Sequence, residues 1–239
     1  MRRLKVVHYL QDPAHCAVAA TASVANYYDS KIDYEHVKQL AYKKISKKLK
    51  KREGIDSSQI CMLLNYLGFK KVTLISSDMS ILDYNWCNYG RRKMKEVLKY
   101  SMDNKKDKDE KCLAKNLYKW YTCKGYNNSI KIDYNFGKYI RQHLNKKKPV
   151  MISFNWTIYM KFAKEGVNGE DVINGEAQEH EVISNGYDDH GIWIVDSHHS
   201  AYKYKRKKYR RGFYKMKWEH LMTCMAQGDV ILPDEYSID

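Results

Sequence analysis

The sequence predicts an α+β protein, with helices in most of the first part of the chain and antiparallel strands in the last third. Helical apolar patterns dominate residues 16–146, whereas short runs of Val, Ile and Tyr bounded by turn residues follow position 149. No internal repeat interrupts this order. Helices and strands that are segregated in this way are typical of α+β folds rather than of alternating α/β folds.

The chain has 239 residues, of which 44% are hydrophobic, so it is long enough for one domain with a substantial core. We therefore predict a single domain over residues 1–239. Residues 78–128 differ from the rest in being highly charged, and we interpret them as a helical insertion within that domain. No apolar run reaches 18 residues, so no transmembrane segment is expected. The N-terminus lacks a signal peptide, which predicts a cytoplasmic protein or one exported without a cleaved signal.

The first half of the chain predicts mainly helices. Residues 16–28 are small and apolar on all sides, which is typical of a helix buried on most of its faces. The other elements predicted here are a short strand over Leu4–Leu10, helices over 34–52, 57–67, 91–102, 108–121 and 134–146, and strands over 71–76 and 149–154.

The last third predicts a hairpin. Residues 180–187 and 191–196 form two strand-like runs on either side of the turn Asp188-Asp189-His190. A strand near 211–217, a short helix near 218–224 and a strand over 229–232 complete the predicted fold.

Cys16 is the first candidate for chemistry. A thiol is a good nucleophile only as a thiolate, and a position at a helix N-terminus lowers its pKa. The six cysteines contain no C-x-x-C pair, so we predict neither a metal site nor a disulfide framework, and no cofactor.

The hairpin supplies the partners that an active thiol needs. His180 opens one strand and Asp196 closes the other, which places them opposite each other or one diagonal apart. A carboxylate on one imidazole nitrogen leaves the other nitrogen free to act on the thiol. Gln11 lies five residues before Cys16, so its amide and the Cys16 N–H are candidates for an oxyanion hole.

These motifs resemble those of a known family. The run Gln11–Ala20 is similar to the nucleophile motif of the bacteriocin-processing, double-glycine leader peptidases of the papain-like cysteine peptidase superfamily. Residues 54–69, 148–152, 180–188 and 194–196 resemble further motifs of that family, in the same order. The resemblance covers roughly residues 5–76 and 134–232. It implies a papain-like fold, in which the buried nucleophile helix packs on a C-terminal antiparallel sheet.

The resemblance implies a cysteine peptidase or related thiol amidohydrolase that cleaves a peptide or isopeptide bond through a thioester. Cys16 would be the nucleophile, His180 the base, Asp196 the group that orients the base, and Gln11 a donor to the oxyanion. The same residues would also suit a deamidase or an acyl transferase. A different class of function, a non-catalytic module that binds nucleic acid or an acidic protein, remains the main alternative. Ala17 replaces the glycine usual after the family's cysteine, and residues 78–128 have no recognised counterpart.

Charge suggests an additional partner. The net charge is +15, which favours an acidic protein, nucleic acid or an anionic membrane surface, although it also fits a well-solvated basic surface. Residues 202–211 alternate aromatic and basic side chains, a pattern that can neutralise phosphates and stack on bases, or can form an exposed hairpin. The candidate binding residues in this segment are Lys203, Lys205, Arg206, Lys208, Arg210 and Arg211.

Overall fold

The structure, a computed structural model, describes residues 3–51, 54–166, 169–198, 212–225 and 228–237. The helices are α1 (Cys16–Tyr28), α2 (Tyr34–Lys44), α3 (Ser57–Tyr66), α4 (Arg91–Asn104), α5 (Lys108–Tyr121), α6 (Phe136–Asn145), α7 (Trp156–Met160) and α8 (Trp218–Cys224). Two short 3-10 helices span Lys47–Lys51 and Tyr84–Asn88.

The strands are β1 (Phe69–Ser76), β2 (Ser129–Ile132), β3 (Val150–Asn155), β4 (Glu165–Gly166), β5 (Gly169–Glu170), β6 (Glu179–Asp188), β7 (Gly191–Val195), β8 (Phe213–Lys217) and β9 (Asp229–Tyr236). Seven of them form one sheet in the order β2-β1-β9-β3-β6-β7-β8, while β4 and β5 form a separate pair. The predicted α+β class is confirmed, although the sheet is mixed because β1 and β2 run parallel.

Helices cover both faces of the sheet. Helices α1 to α5 enclose one apolar core, which includes Val18, Leu63 and Trp120. Helices α6 to α8 cover the other face, where Phe154 and Ile192 are fully buried. Within the described residues, no helix is long and apolar enough to cross a membrane.

Helix α1 is buried along most of its length, as its composition predicts. Residues from Ala17 to Ala25 are all buried, and its side chains are small, so the helix can pack closely against both β6 and α3. The buried hydroxyl groups of Thr21 and Ser23 donate to backbone carbonyls one turn earlier, those of Ala17 and Ala19, at 2.7 and 2.9 Å. The packing fixes the position of Cys16 at the helix start.

Two predicted elements need correction. The strand expected over Leu4–Leu10 is wrong: β3 and β7 already occupy both edges of β6, and Leu4 instead bonds to Asn185 at a bulge in that strand. The helix expected over residues 34–52 ends at Lys44, and a 3-10 helix follows. The lysines beyond Lys44 present no apolar stripe that could hold a longer helix on the core.

Residues 78–128 contain the second 3-10 helix and helices α4 and α5, near the predicted bounds of both helices. Helix α5 packs on α3, and Asn116 donates to Asp56, the N-cap residue of α3, at 2.7 Å. The segment is therefore joined to the rest of the fold. That it is an insertion stays a prediction.

Candidate active site

Cys16 is the first residue of α1 and lies, partly exposed, in a cleft. Its sulfur interacts with the side chain of His180 and with the backbone N–H groups of Ala17 and Glu181. Burial by itself raises the pKa of a thiol, but the His180 hydrogen bond and charge, together with these N–H donors, hold the pKa of Cys16 below its usual value. The environment thus favours a thiolate.

His180 lies near the start of β6 and is 4% exposed. The register pairs Ile183 with Val195, so Asp196 extends the ladder one diagonal away from His180, as the hairpin predicts. The His180 Nε2 is 2.8 Å from Asp196 Oδ1, which leaves Nδ1 for Cys16. Burial by itself lowers an imidazole pKa, but Asp196 and Cys16 raise that of His180 to about 10.

Asp196 is fully buried, and three donors from the described residues hydrogen-bond to its carboxylate. Besides His180, the His198 backbone N–H reaches Oδ1 at 2.8 Å and the Tyr214 hydroxyl reaches Oδ2 at 2.9 Å. Burial alone would raise the pKa of this carboxyl, but His180 and the other donors lower it. The charge is therefore kept within a network in which each oxygen has a partner.

Gln11 is anchored beside this network. Its backbone N–H donates to the Ser197 carbonyl at 3.1 Å, and its Oε1 accepts from the Ser197 hydroxyl at 2.7 Å. Since Oε1 is engaged, the amide nitrogen is the group that remains for a ligand. The contact also joins the segment before α1 to the segment after β7.

Sequence reasoning missed two side chains around the imidazole. Trp156, at the start of α7, packs with its ring centroid 4.4 Å from that of His180. Tyr214, in β8, donates to Asp196 and stacks on Tyr159 with 5.7 Å between ring centroids. Neither residue belongs to a motif, and the pairing that places the end of β3, and hence Trp156, next to His180 follows from a sheet order that the sequence does not show.

The turn before Cys16 carries a backbone constraint. The His15 N–H closes it on the Asp12 carbonyl at 3.0 Å, and Ala14 has a φ of 60°, in the left-handed region. His15 is buried and points away from the thiol, between the Pro13 carbonyl and the Tyr42 hydroxyl.

The remaining candidates are elsewhere. His190 is exposed in the hairpin turn. In the described parts of the chain, no group of three His, Cys, Asp or Glu side chains could hold a metal ion. The six basic candidates at 203, 205, 206, 208, 210 and 211 lie outside the described residues, so their binding role stays a prediction.

The cleft beside Cys16 has a volume of about 640 Å³. The start of α3 lines one side, and α5 contributes Leu113 and Asn116 to the wall. Glu179, His180 and Glu181 line it from β6. The cleft therefore lies at the end of β3 and the start of β6, beside the candidate nucleophile, and a helix of the charged segment forms part of its wall.

The fold, together with the family match that follows, places the chain in the class of papain-like cysteine peptidases. Residues 3–224 match the Peptidase_C39 like family, and the chain belongs to that family. The predicted relationship to this group of peptidases is confirmed.

Two solved structures are similar to the chain. The first is the peptidase domain of Streptococcus ComA, described as a bi-functional ABC transporter involved in a quorum sensing pathway. It has 14% identity and a TM-score of 0.42, and the match covers 96% of this chain and 98% of that one. The second is a double glycine motif protease from an AMS/PCAT transporter in complex with its leader peptide. It has 13% identity and a TM-score of 0.42, over 97% and 94% of the two chains. No curated protein matches the chain.

Proposed function

We propose that the protein cleaves a peptide or isopeptide bond through a thioester intermediate, with Cys16 as nucleophile and His180 as its acid and base. The supporting observation is the chain of contacts from the Cys16 sulfur through His180 to Asp196, in which the pKa of the thiol is lowered and that of the imidazole raised. Together these shifts favour a thiolate–imidazolium pair, which is the reactive form of a cysteine hydrolase.

In the acylation step, the Cys16 thiolate attacks the substrate carbonyl and the carbonyl oxygen gains negative charge. The Cys16 backbone N–H and the Gln11 amide nitrogen donate to this oxyanion. His180 then gives its proton to the leaving amine, the C–N bond breaks, and a thioester remains on Cys16.

In the deacylation step, neutral His180 takes a proton from water, which attacks the thioester and releases the acid. Asp196 holds the imidazole in one orientation and stabilises its charged form. Trp156 packs on the ring and limits its rotation. If an amine replaced water, the same thioester would transfer its acyl group, and if the substrate were a glutamine side chain, the product would be a deamidated residue.

The test is selective alkylation. We expect iodoacetamide at mildly acidic pH to label Cys16 faster than Cys87 and Cys112, which are both exposed, because the His180 imidazolium lowers the pKa of Cys16. Peptide mapping by mass spectrometry gives the rate at each thiol. The matched control is His190→Ala, which removes an exposed histidine and should leave the pattern unchanged, whereas His180→Ala should abolish it.

Equal labelling of all exposed thiols would contradict an activated Cys16–His180 pair and would favour the non-catalytic binding module. Cleavage of a casein digest or of a peptide library by the wild type, and its loss in Cys16→Ala, then separates a peptidase from an enzyme that only deamidates.

The basic segment is proposed separately to attract an acidic partner. The seven cations of residues 202–211 and the tyrosines interleaved with them support this. Charge reversal at Lys205, Arg206 and Lys208 should weaken binding to an acidic partner and reduce its salt dependence. Unchanged affinity and salt dependence would rule the role out.

A further inference from the structure

Among the residues that the structure describes, the carboxyl group of Glu181 has no hydrogen-bond partner. The side chain is 3% exposed, and both of its oxygens are buried without a donor from those residues. It lies on the α1 side of β6, where Ile183 belongs to the apolar core, and it lines the cleft beside Cys16. An apolar residue would fit this strand position without cost, whereas a buried, unpartnered carboxyl lowers stability. The fold therefore retains a group that it does not itself use.

Glu181 is one of four polar residues in a row across the sheet. The strand register places Ser153 opposite Glu181, Asp229 opposite Ser153, and Ser76 opposite Asp229. Residues paired in this way point to the same face of a sheet. We call this row, made of Ser76, Asp229, Ser153 and Glu181, the acidic floor.

The second carboxyl of the acidic floor also has a free acceptor. Ser57 and Ser76 hydrogen-bond to Asp229, yet its buried Oδ1 has no partner. Asp229 lines a recess of about 110 Å³ that shares Ser57, Leu113 and Glu179 with the cleft, so the two spaces adjoin. Burial raises the pKa of Asp229 to about 7 and that of Glu181 well above its usual value. Neither carboxyl forms an ion pair within the described residues that offsets the cost of its burial.

We propose that the acidic floor is a subsite for a primary ammonium group of the substrate, which binds over Ser153 between Glu181 and Asp229. This inference rests on the proposed peptidase function and gives it a substrate class, peptides that place a positive charge next to the bond attacked by Cys16.

The spacing of the acidic floor suits one compact cation. Neighbouring strands lie about 4.8 Å apart, so the Cα atoms of Glu181 and Asp229 are each roughly one strand spacing from that of Ser153, and both side chains can reach a group bound above it. An ammonium has three donors, and Glu181, Asp229 and the Ser153 hydroxyl supply three acceptors.

The site is within reach of the reaction centre. The Glu181 backbone N–H hydrogen-bonds to the Cys16 sulfur, so the first residue of the acidic floor is in direct contact with the candidate nucleophile. A bound ammonium would stabilise the ionised form of these two carboxyls, and this local preference for a cation contrasts with the +15 charge of the whole chain. The cleft thus selects a charge opposite to that expected for a partner of the basic segment.

The experiment compares two thiol reagents of similar size, 2-aminoethyl methanethiosulfonate, which is cationic, and methyl methanethiosulfonate, which is neutral. Each forms a mixed disulfide with a thiolate and releases methanesulfinate. The ratio of the cationic to the neutral rate at Cys16 is measured by peptide mapping, with exposed Cys87 as the internal reference. We expect the ratio at Cys16 to exceed that at Cys87 by roughly 10-fold to 100-fold.

Glu181→Gln keeps the shape of the side chain and should reduce the ratio to near that of Cys87. Asp229→Asn is a second variant with the same expected direction, in case the first folds poorly. Glu219→Gln makes the same change of charge on the exposed surface of α8 and should leave the ratio as in the wild type.

A wild-type ratio equal at Cys16 and Cys87, or a ratio that neither floor variant changes, would overturn the subsite. The proposed function fails separately, if Cys16 reacts with the neutral reagent no faster than Cys87 at mildly acidic pH.

A binding measurement on Cys16→Ser then identifies the source of the ammonium. Fluorescence anisotropy measures the affinity of three sets of peptides. The first set is N-acetylated and carries Lys at each position in turn, the second is N-acetylated and carries norleucine instead, and the third is the norleucine set with a free amino terminus. Preference for Lys assigns a side chain, and preference for the free terminus assigns an N-terminal amine. Equal affinity of all three sets would count against the subsite.

Discussion

The two faces of β6 treat charge in opposite ways. On one face, His180 contacts Cys16, Asp196 and Trp156, and the charged groups are paired within the chain. On the other face, one residue along, the Glu181 side chain is as deeply buried, but its carboxyl has no hydrogen-bond partner in the described part of the chain. His180 and Glu181 are therefore equally buried neighbours in one strand, but within the described residues the polar atoms of His180 are hydrogen-bonded and those of the Glu181 carboxyl are not.

This difference separates chemistry from recognition. A reaction centre needs its charges held in fixed positions before the substrate arrives. A binding subsite keeps acceptors available for the ligand, at a cost to the stability of the free protein. The alternation of a β-strand allows both to lie next to one nucleophile.

The largest loss of activity is expected from a change on the face of β6 that carries His180. His180→Ala removes the proton carrier and the counter-charge of the thiolate, so we expect kcat/KM for a cleaved peptide to fall by about 10⁴-fold or more. Steady-state kinetics measures this, with Glu219→Gln as the control on the surface. A fall of less than tenfold would show that the imidazole does not take part in the reaction.

Asp196→Asn should give the next largest loss of activity, and it should also change the pH dependence of kcat/KM. The carboxylate raises the pKa of His180, so its loss lowers that pKa and the imidazolium is lost at lower pH. We expect kcat/KM to fall by about 10³-fold and the alkaline limb of its pH profile to move to lower pH. An alkaline limb that stays in place would mean that the limb reports another group.

Stability should respond in opposite directions on the two faces. Glu181→Met replaces an unpartnered carboxyl with an apolar side chain of similar length, so we expect the free energy of unfolding at pH 7 to rise by about 1–3 kcal/mol. Asp196→Asn, which breaks a partnered network, should lower it. Urea denaturation gives both values. A destabilised Glu181→Met would show that Glu181 has a stabilising role that its contacts do not reveal.

The smallest effect concerns the turn that leads to the nucleophile. Ala14 adopts a left-handed conformation, which costs an L-residue about 1 kcal/mol and which glycine adopts freely. Ala14→Gly should therefore raise the free energy of unfolding by up to about 1 kcal/mol, as measured by thermal or urea unfolding. A clear loss of stability would mean that the restricted chain at Ala14 limits the unfolded state more than it strains the folded one.

Local patterns predicted the elements that fold for local reasons. The run of small residues gave α1, and Asp56 with Gln59 forms the capping box at the start of α3. The hairpin and its diagonal pairing followed from the position of its turn. In the candidate site, Cys16, His180 and Asp196 could be proposed because each lies at the end of a predictable element.

What the sequence left undetermined depends on distant strands. The paired positions of Glu181 and Asp229 in the acidic floor follow from the sheet order β9-β3-β6, which no local pattern contains. Strand β2 has four residues and pairs in parallel with β1, too short a run to predict. The prediction of a strand over Leu4–Leu10 was wrong for the same reason. The strand-like composition of this segment could not show that β6 had no free edge.

Strand β9 is made last of the nine strands, yet it lies near the middle of the large sheet, between β1 and β3. During synthesis, β1 and β3 have no common neighbour until residues 229–236 leave the ribosome. Long-range pairing of this kind also delays folding. A growing chain would therefore carry its thiol and imidazole without a finished cleft until residues 229–236 have emerged and paired with β1 and β3.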